Sequence, residues 1–448
     1  VPALTLGSHP QPPPPSDPEE IRRVEHTRKR RRLLYSEHEQ DLSELMERQL
    51  GTIKREAWGR PDLTSNAYLS VSEISARLYG APPDVEHDDA AGLELAERIA
   101  DGGLWPLMQR VQRDTLGLND MFLRVDVDEG ALVFRPVFPD LTEATATPRN
   151  PAAPVTLKEW EHVEPWGWVR RSASVVPGDV YYRATADVDG VQTDVSEDVL
   201  GGTYEGASYS IRDAAGLPVL PWIHYSARST GFLYDPYTNS EIVEGSLNVG
   251  MYLTYYGHVL RSSAWGQRYA AGVIVEGSGL GEDGSHEEVV TDPATVLLLG
   301  VREGMQPLVG QWSSPADPEA ILRSISVYER RLMERAGLQA ADVTRQSADV
   351  RSGYSLAVSR ESVRELQRLW EPQFRLADLA LIRLCAASLN SAEGTNYPED
   401  GYTITYRGLP PSPVEDRMRL DAVMAMIEKQ VITPERGEEL LGDVIARL

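Results

Sequence analysis

Apolar positions fall into helical and strand periods in separate blocks along the chain. Leu34, His38, Leu42, Leu45 and Gln49 make one stripe at three-and-four spacing, predicting a helix from the basic run at residue 28 through Leu50. A second helix is predicted over Val71 to Tyr79, stopped by Gly80-Ala81-Pro82-Pro83, and a third over Ala90 to Leu116. The period then changes to two. Met121 to Val127 alternates, Asp128-Glu129-Gly130 turns, and Ala131 to Val137 alternates again, which is a hairpin pattern. Trp166 to Val175, Val180 to Ala186, Ser208 to Arg212 and Pro221 to Ala227 follow as strands, with a turn at Asp189-Gly190. Residues 120–230 therefore read as an antiparallel β region.

The helical period returns at Ser246 to Ala271, where Leu247, Met251, Tyr255, Val259 and Ser262 share a side and Tyr252, Tyr256 and Trp265 lie elsewhere. A helix apolar around most of its girth packs on several neighbours. A β-rich insertion, Val273 to Trp312, holds strands at Val273-Ile274-Val275 and Ala294 to Val301. Asp317-Pro318-Glu319 then starts a helix with an aspartate cap, proline in the first turn and an acid beside it; Ile321, Ile325, Tyr328 and Leu332 form its stripe and Gly337 ends it. Gln339 to Ser352 is polar and aperiodic, a loop. A long helix is predicted from Gly353 to Asn390, with Pro372 inside it as the site of a kink. A strand at Tyr402 to Tyr406 precedes a helix over Val414 to Lys429 and another begun by Thr433-Pro434-Glu435.

Composition changes this picture in one respect. The 68 acidic residues outnumber the 44 basic ones, for a formal charge of −24, which disfavours a protein that grips phosphate over its whole surface. It does not argue against a surface that DNA slides past without sticking, and an ordinary soluble acidic protein fits the charge equally. The only dense basic run, Arg28-Lys29-Arg30-Arg31-Arg32, follows a tract holding Pro10, Pro12 to Pro15 and Pro18 that reads as an extended tail. The run suits contact with nucleic acid, capsid or a scaffold, or a solvated helix start paired with nearby acids. Cys385 is the single cysteine, so no intrachain disulfide forms and a reducing compartment is expected. Val1-Pro2-Ala3 and the Pro-rich tract after it do not resemble a signal peptide, so none is expected. The longest apolar stretch, Leu376 to Leu389, is interrupted by Asp378 and Arg383, so no membrane span is expected and the chain reads as soluble and intracellular when made.

Several stretches carry a family resemblance through their order. These are Asn66 to Val85 (NAYLSVSEISARLYGAPPDV), Gly216 to Trp222 (GLPVLPW), Ser246 to Arg261 (SLNVGMYLTYYGHVLR), Ser352 to Leu356 (SGYSL), and Tyr406 to Pro411 followed by Arg417 to Gly442. Together they resemble the portal, or head-to-tail connector, proteins of tailed double-stranded DNA bacteriophages. The likeness covers most of the chain from about residue 30 and is weakest over 120–215. It implies an α+β portal fold. A Pro-rich and basic tail would occupy 1–32, a wing 33–245 and the first stem helix 246–271. A clip would follow at 272–316, the second stem helix at 317–338, a tunnel loop at 339–352, the rest of the wing at 353–411 and a helical crown at 412–448.

The resemblance also implies a function. Copies of the chain would form a ring, a dodecamer in the family, at one capsid vertex of the virion. Double-stranded DNA would pass through it during packaging and ejection. The major capsid protein, the terminase packaging motor and the head-completion adaptor would be its partners, with no membrane, and assembly would occur in the host cytoplasm. Arg345, Gln346 and Arg351 of the tunnel loop would face DNA, and Tyr252, Tyr255, Tyr256 and Trp265 would pack neighbouring stems. An ordinary helix buried within one subunit remains the alternative for the stem, and a solvated loop for the tunnel loop.

Enzyme chemistry is not expected, and neither a cofactor nor a metal is called for. Gly279 to Gly284 matches GxGxxG, but its loop is acidic and no long helix follows before Pro293, so it reads as a turn. There is no Walker loop, HExxH or Cys-His cluster, and Gly206 to Ser210 misses the GxSxG elbow at its last position. Asp187-Val188-Asp189-Gly190 places glycine too early for an EF-hand loop. Two other classes stay open: another virion ring or adaptor, and a carbohydrate-active enzyme using the nine tryptophans, 19 tyrosines and a carboxylate pair.

Overall fold

The computed structural model describes residues 12, 15, 17–50, 60–188, 190–200, 211–264, 267–271, 273–275, 299–301, 308–312, 317–338, 361–407, 413–429, 433, 434, 436, 437 and 441. In chain order the elements are α1 (Pro18–Leu34), α2 (Glu39–Leu50), α3 (Ala67–Ser75), β1 (Asp84–Glu86), α4 (Ala90–Asp101), α5 (Leu104–Leu118), β2 (Asp120–Asp128) and β3 (Ala131–Val137). Then come β4 (Thr142–Thr147), β5 (Asn150–Val163), β6 (Gly167–Val176), β7 (Asp179–Val188), β8 (Val191–Asp194), α6 (Ser196–Leu200) and β9 (Trp222–Ser226). The rest is α7 (Ser240–Ala264), β10 (Gln267–Ala271), β11 (Val273–Val275), β12 (Leu299–Val301), β13 (Leu308–Trp312), α8 (Pro318–Arg335), α9 (Glu361–Glu393), β14 (Thr403–Thr405) and α10 (Pro413–Glu428). Helices and antiparallel sheets make the class α+β.

Two compact units form. The first holds residues 1–38, 67–243 and 333–448; the second holds 39–66 and 244–332. In the first, β2 is the middle strand of a three-stranded sheet, β3-β2-β9, and is buried almost throughout. Its alternation explains the layering. Met121, Leu123 and Val125 face α5 and α9, where Met108, Val111, Phe374, Leu381 and Cys385 are buried. Phe122 and Arg124 point the other way, toward the five-stranded sheet β4-β5-β6-β7-β8, whose inner positions include Leu157, Val169, Ala173 and Ala184. The β2–β3 hairpin turns at Glu129 (φ 47°) and Gly130 (φ 81°), both left-handed, the backbone a two-residue turn between twisted strands requires.

The predicted hairpin, the strands near 167–188 and 222–226, and the return helix with its Asp317 cap (Glu319 N to Asp317 Oδ1, 3.0 Å) are all present. Several boundaries are corrected. The helix begins at Pro18, where Asp17 caps Glu19 N at 3.0 Å, so residues 18–32 are folded and do not belong to a tail. The adjacent prolines hid this start. The run predicted from 28 through Leu50 is two helices, broken at Ser36 with φ 58°. The 90–116 helix is also two, divided by Gly103 at φ 74°. The helix predicted over 71–79 is α3, four residues earlier. β4 and β5 were not foreseen, because Pro151 and Pro154 broke the strand pattern. The stem helix predicted over 246–271 runs from Ser240 to Ala264, and Gln267–Ala271 is a strand paired with Leu308–Trp312. The long helix contains Pro372 and reaches Glu393, with residues 353–360 outside the described part. Strand predictions at 208–210 and 294–298, and the glycine motifs at 279–284 and 206–210, also lie outside it.

Candidate assembly and channel surfaces

The second unit is an excursion built from one helix out and one helix back. α7 has 25 residues and α8 has 18, about 37 Å and 27 Å long at helical rise. They are antiparallel. Near the start of α7, a Cβ on Gly245 would stand 2.3 Å from a Leu332 methyl near the end of α8, so a larger residue there would have to push Leu332 aside. Further along, Tyr252 meets Tyr328 edge-on at 6.0 Å. The chain leaves α7 through β10, which pairs with β13 from Gln267↔Trp312 to Ala271↔Leu308. Beyond it β11 pairs with β12, Val273↔Val301 to Val275↔Leu299. The outgoing and returning arms are thus matched in helix and in strand.

Segment 60–66 and α2 brace this pair. Leu247 and Met251 are buried, and a methyl of Leu42 lies 2.9 Å from where Gly250 would carry a Cβ. Thr254 Oγ1 accepts from Asp62 N at 2.9 Å while donating to Gly250 O at 2.9 Å. Ser65 donates to Glu329 on α8. Bracing is confined to part of the girth: Tyr252 (37% exposed), Leu260 (40%), Leu322 (41%) and Val327 (41%) remain open. These four open apolar side chains of the helical pair are candidates for contact with a partner.

Of the residues singled out in the sequence, Tyr252 lies against Tyr328 and is open on its other side, and Tyr255 and Tyr256 are half-buried on α7. The side chain of Trp265, and Arg345, Gln346 and Arg351 with the rest of the 339–352 loop, lie outside the described residues. Pro372 is inside α9, where it withholds a backbone donor. Part of the basic run is internal: Arg30 and Arg31 are buried, while Arg28, Lys29 and Arg32 are partly exposed. Arg31 pairs with Asp140 at 2.9 Å, Arg28 approaches the same carboxylate at 3.7 Å, and Arg30 donates to Tyr68 Oη at 3.3 Å and to Thr238 O. Arg23, just upstream, donates to Pro139 O and Thr142 O at 2.7 and 2.6 Å and lies 4.0 Å over the Tyr234 ring. Nearby acids were foreseen as its partners, but burial was not.

Sequence reasoning missed two buried polar centres of the first unit. Between its sheets, Arg124 meets Glu159, Asp126 at 2.9 Å and Glu161 at 3.1 Å. Arg171 donates to Glu161 at 2.7 Å, and Trp222 Nε1 donates to Glu159 at 2.6 Å. Burial opposes ionisation of Glu161, but Arg124 and Arg171 outweigh it and bring its carboxyl down to about 2. Glu159 is buried more deeply and its carboxyl is raised, although Arg124 pulls the other way. The second centre is Asp378 on α9. Tyr79 and Tyr406 donate to its Oδ2 at 2.7 and 2.5 Å, and Tyr225 to its Oδ1 at 2.8 Å. Burial pushes this carboxyl up to about 6, against the three hydroxyls that favour its charged form. Charged residues at alternate positions of two strands, Arg124 and Asp126 on β2 and Glu159 and Glu161 on β5, were the available signal. For Asp378 it was one acid inside an apolar helical stripe.

Among the described residues no three His, Cys, Asp or Glu side chains gather as a metal site, and no helix is long and apolar enough to cross a membrane. No family model and no curated protein matches the chain. Among solved structures it is similar to a chain of a particle titled "Virion of native gene transfer agent (GTA) particle", at 13% identity and a TM-score of 0.38, over 86% of this chain and 95% of that one.

Proposed function

We propose that the chain is a virion structural protein, the portal subunit of a tailed phage or phage-like particle. Copies stand around an axis as a ring at one capsid vertex. The observation that carries this reading is the excursion of the second unit: helix, two strand ladders and return helix, antiparallel, with Tyr252, Leu260, Leu322 and Val327 exposed. A side that buries some apolar groups internally and leaves others open fits a repeated contact between identical subunits, in which one face of each copy meets a different face of the next and the set closes. The family-like segment Ser246 to Arg261 falls within the outgoing helix of this arrangement.

On this reading the protein catalyses nothing. The strand ladders are the docking end for the packaging motor and later the head-completion adaptor. The loop with Arg345, Gln346 and Arg351 supplies basic girdles to passing duplex DNA, and the excess of acid keeps that contact light. The subunit number is twelve by family resemblance.

The test is assembly. Leu260→Asp with Val327→Asp places charges at two open positions and should leave the secondary structure unchanged by circular dichroism. Light scattering should show the parent as a large oligomer and the double variant as a monomer or small species. A parent that is monomeric throughout, or a variant that assembles like the parent, contradicts the reading.

A further inference from the structure

The five-stranded sheet has two different faces. The inner one packs Leu157, Val169, Tyr182 and Ala184 into the core. The outer one carries rings and cations in register across adjacent strands. Trp160 on β5 is opposite Arg170 on β6, which is opposite Thr185 on β7. On one side of this row His162 is opposite Trp168; on the other, Lys158 is opposite Ser172 and then Arg183, and beyond that Thr156, Ser174 and Tyr181 align. Rows two residues apart are separated by about 7 Å, so the four span roughly 20 Å. Trp160, Trp168, His162 and Tyr181 are partly exposed, and Arg183 is exposed.

The cations lie on the rings. Arg170 sits 5.7 Å over Trp160 and Arg183 4.6 Å over Tyr181, while His162 meets Trp168 edge-on at 5.6 Å. Of the acids on this face, Glu143 holds Lys158 at 2.9 Å, Asp187 accepts from Gly190 N at 2.8 Å and Asp194 accepts from Ser196 N at 3.0 Å, while Asp179 is exposed at the rim, at the end of β7. Arg170 and Arg183 form no ion pair among the described residues. Among the described residues two buried polar atoms of one row, Arg170 Nε and Thr185 Oγ1, have no hydrogen-bond partner, while Arg170 Nη2 donates to Gln192 Oε1 at 3.3 Å. In a chain with a charge of −24, this face has ring platforms, two guanidinium groups without a carboxylate, and unsatisfied donors side by side.

We infer that the outer face of the five-stranded sheet binds single-stranded nucleic acid, stacking bases on Trp160, Trp168 and Tyr181 and holding phosphates with Arg170 and Arg183. The two guanidinium groups that lack a carboxylate select an anionic partner, and the flat rings select one that also presents planar faces. Stacking serves every base, so the site takes single strands with little regard to sequence. Its length suits two or three stacked bases, as on sheets of known RNA-binding modules. Lifting Arg170 off Trp160 frees the indole for a base and exposes the Nε and Thr185 hydroxyl to hydrogen bonding. A duplex hides its base faces and gains only phosphate contacts here.

The probe is a fluorescein-labelled oligothymidylate of about twelve nucleotides, long enough to cover one such site, titrated with the full chain at low salt and read by anisotropy. Binding is expected, weakening as salt rises, with the matching duplex and an abasic strand of equal charge bound more weakly. Trp160→Ala should weaken the single strand by about tenfold or more, the loss of one stacked base. Arg183→Glu should weaken it comparably and Arg183→Lys much less; exposed Arg183 can be changed without disturbing the fold. No binding by the parent overturns the proposal. So does equal binding of the abasic strand, of heparin at matched charge, or of the Trp160→Ala chain, any of which would mean nonspecific attraction or a polysaccharide partner. The readout is independent of whether the chain forms rings, so failure here and failure of the portal reading are separate results.

Discussion

Arg124→Met is expected to lower the stability of the first unit by about 3–5 kcal/mol, the range for removing one partner of a buried ion pair. Methionine fills similar space, so the loss is electrical. Glu159, Asp126 and Glu161 would lose the guanidinium that all three share at the join between the sheets. Truncating exposed Arg135, which reaches Glu161 at 2.7 Å from the rim, should cost about 1 kcal/mol or less. The loss at Arg124 should depend on pH with a definite sign. Glu161 is held at about 2, below its ordinary value, so its contribution is present above the unfolded carboxylate range and disappears as pH falls through the folded value. The gap between parent and Arg124→Met should therefore be widest near neutrality and narrow below pH of about 4.5. Urea denaturation followed by circular dichroism at several pH values measures it. A gap that is small at neutral pH, or that widens in acid, contradicts this account.

Asp378→Ala should cost the same unit about 3–6 kcal/mol, because it leaves the hydroxyls of Tyr79, Tyr225 and Tyr406 without their acceptor, each at a cost of about 1–3 kcal/mol if fully buried. The three tyrosines come from the segment after α3, from β9 and from the segment after β14, so one carboxylate ties distant parts of the chain to α9. Tyr225→Phe removes one donor and should cost about 1 kcal/mol. The pH dependence here is opposite to that of Glu161. Asp378 is raised to about 6, so its contribution is fully present below the unfolded value of 3.8 and declines as pH rises through 6. Parent stability measured against Asp378→Asn, which cannot ionise, should fall between about pH 4 and 6 and level off above. A flat difference over that range would show that burial does not shift this group.

Much of the fold is legible where one physical signal dominates. The β2–β3 hairpin is written in its alternation and in Glu129-Gly130. The return helix is written in Asp317-Pro318-Glu319. The out-and-back excursion is legible because two helical blocks bracket a short β block. Boundaries fail where two signals compete. Residues 264–271 continue an apolar run that suits a helix, yet pairing with Leu308–Trp312 takes Gln267–Ala271 into a strand, and that partner is 40 residues away. Pro151 and Pro154 argue against a strand, yet β5 tolerates them at its start, where the β4–β5 register shifts.

The candidate surfaces were only partly legible. Tyr252 stood out as a large ring on a helix, but its pairing with Tyr328 and the exposure of Leu260 and Val327 depend on how α2, α7 and α8 meet. The four arginines and the lysine of residues 28–32 read as a solvated helix start or a surface for a partner because local charge is all a sequence shows. Asp140, more than a hundred residues away, makes part of that run internal. The outer sheet face was hidden for the same reason: Trp160, Arg170 and Thr185 become neighbours only through the registers of β5, β6 and β7.

Class averages of the purified chain by negative-stain electron microscopy address the central claim most directly. The account predicts an annulus of many identical subunits around a stain-filled hole, with the α7–α8 excursions repeated about the axis. Compact particles of about 50 kDa without a hole, at concentrations where light scattering shows no larger species, would contradict it.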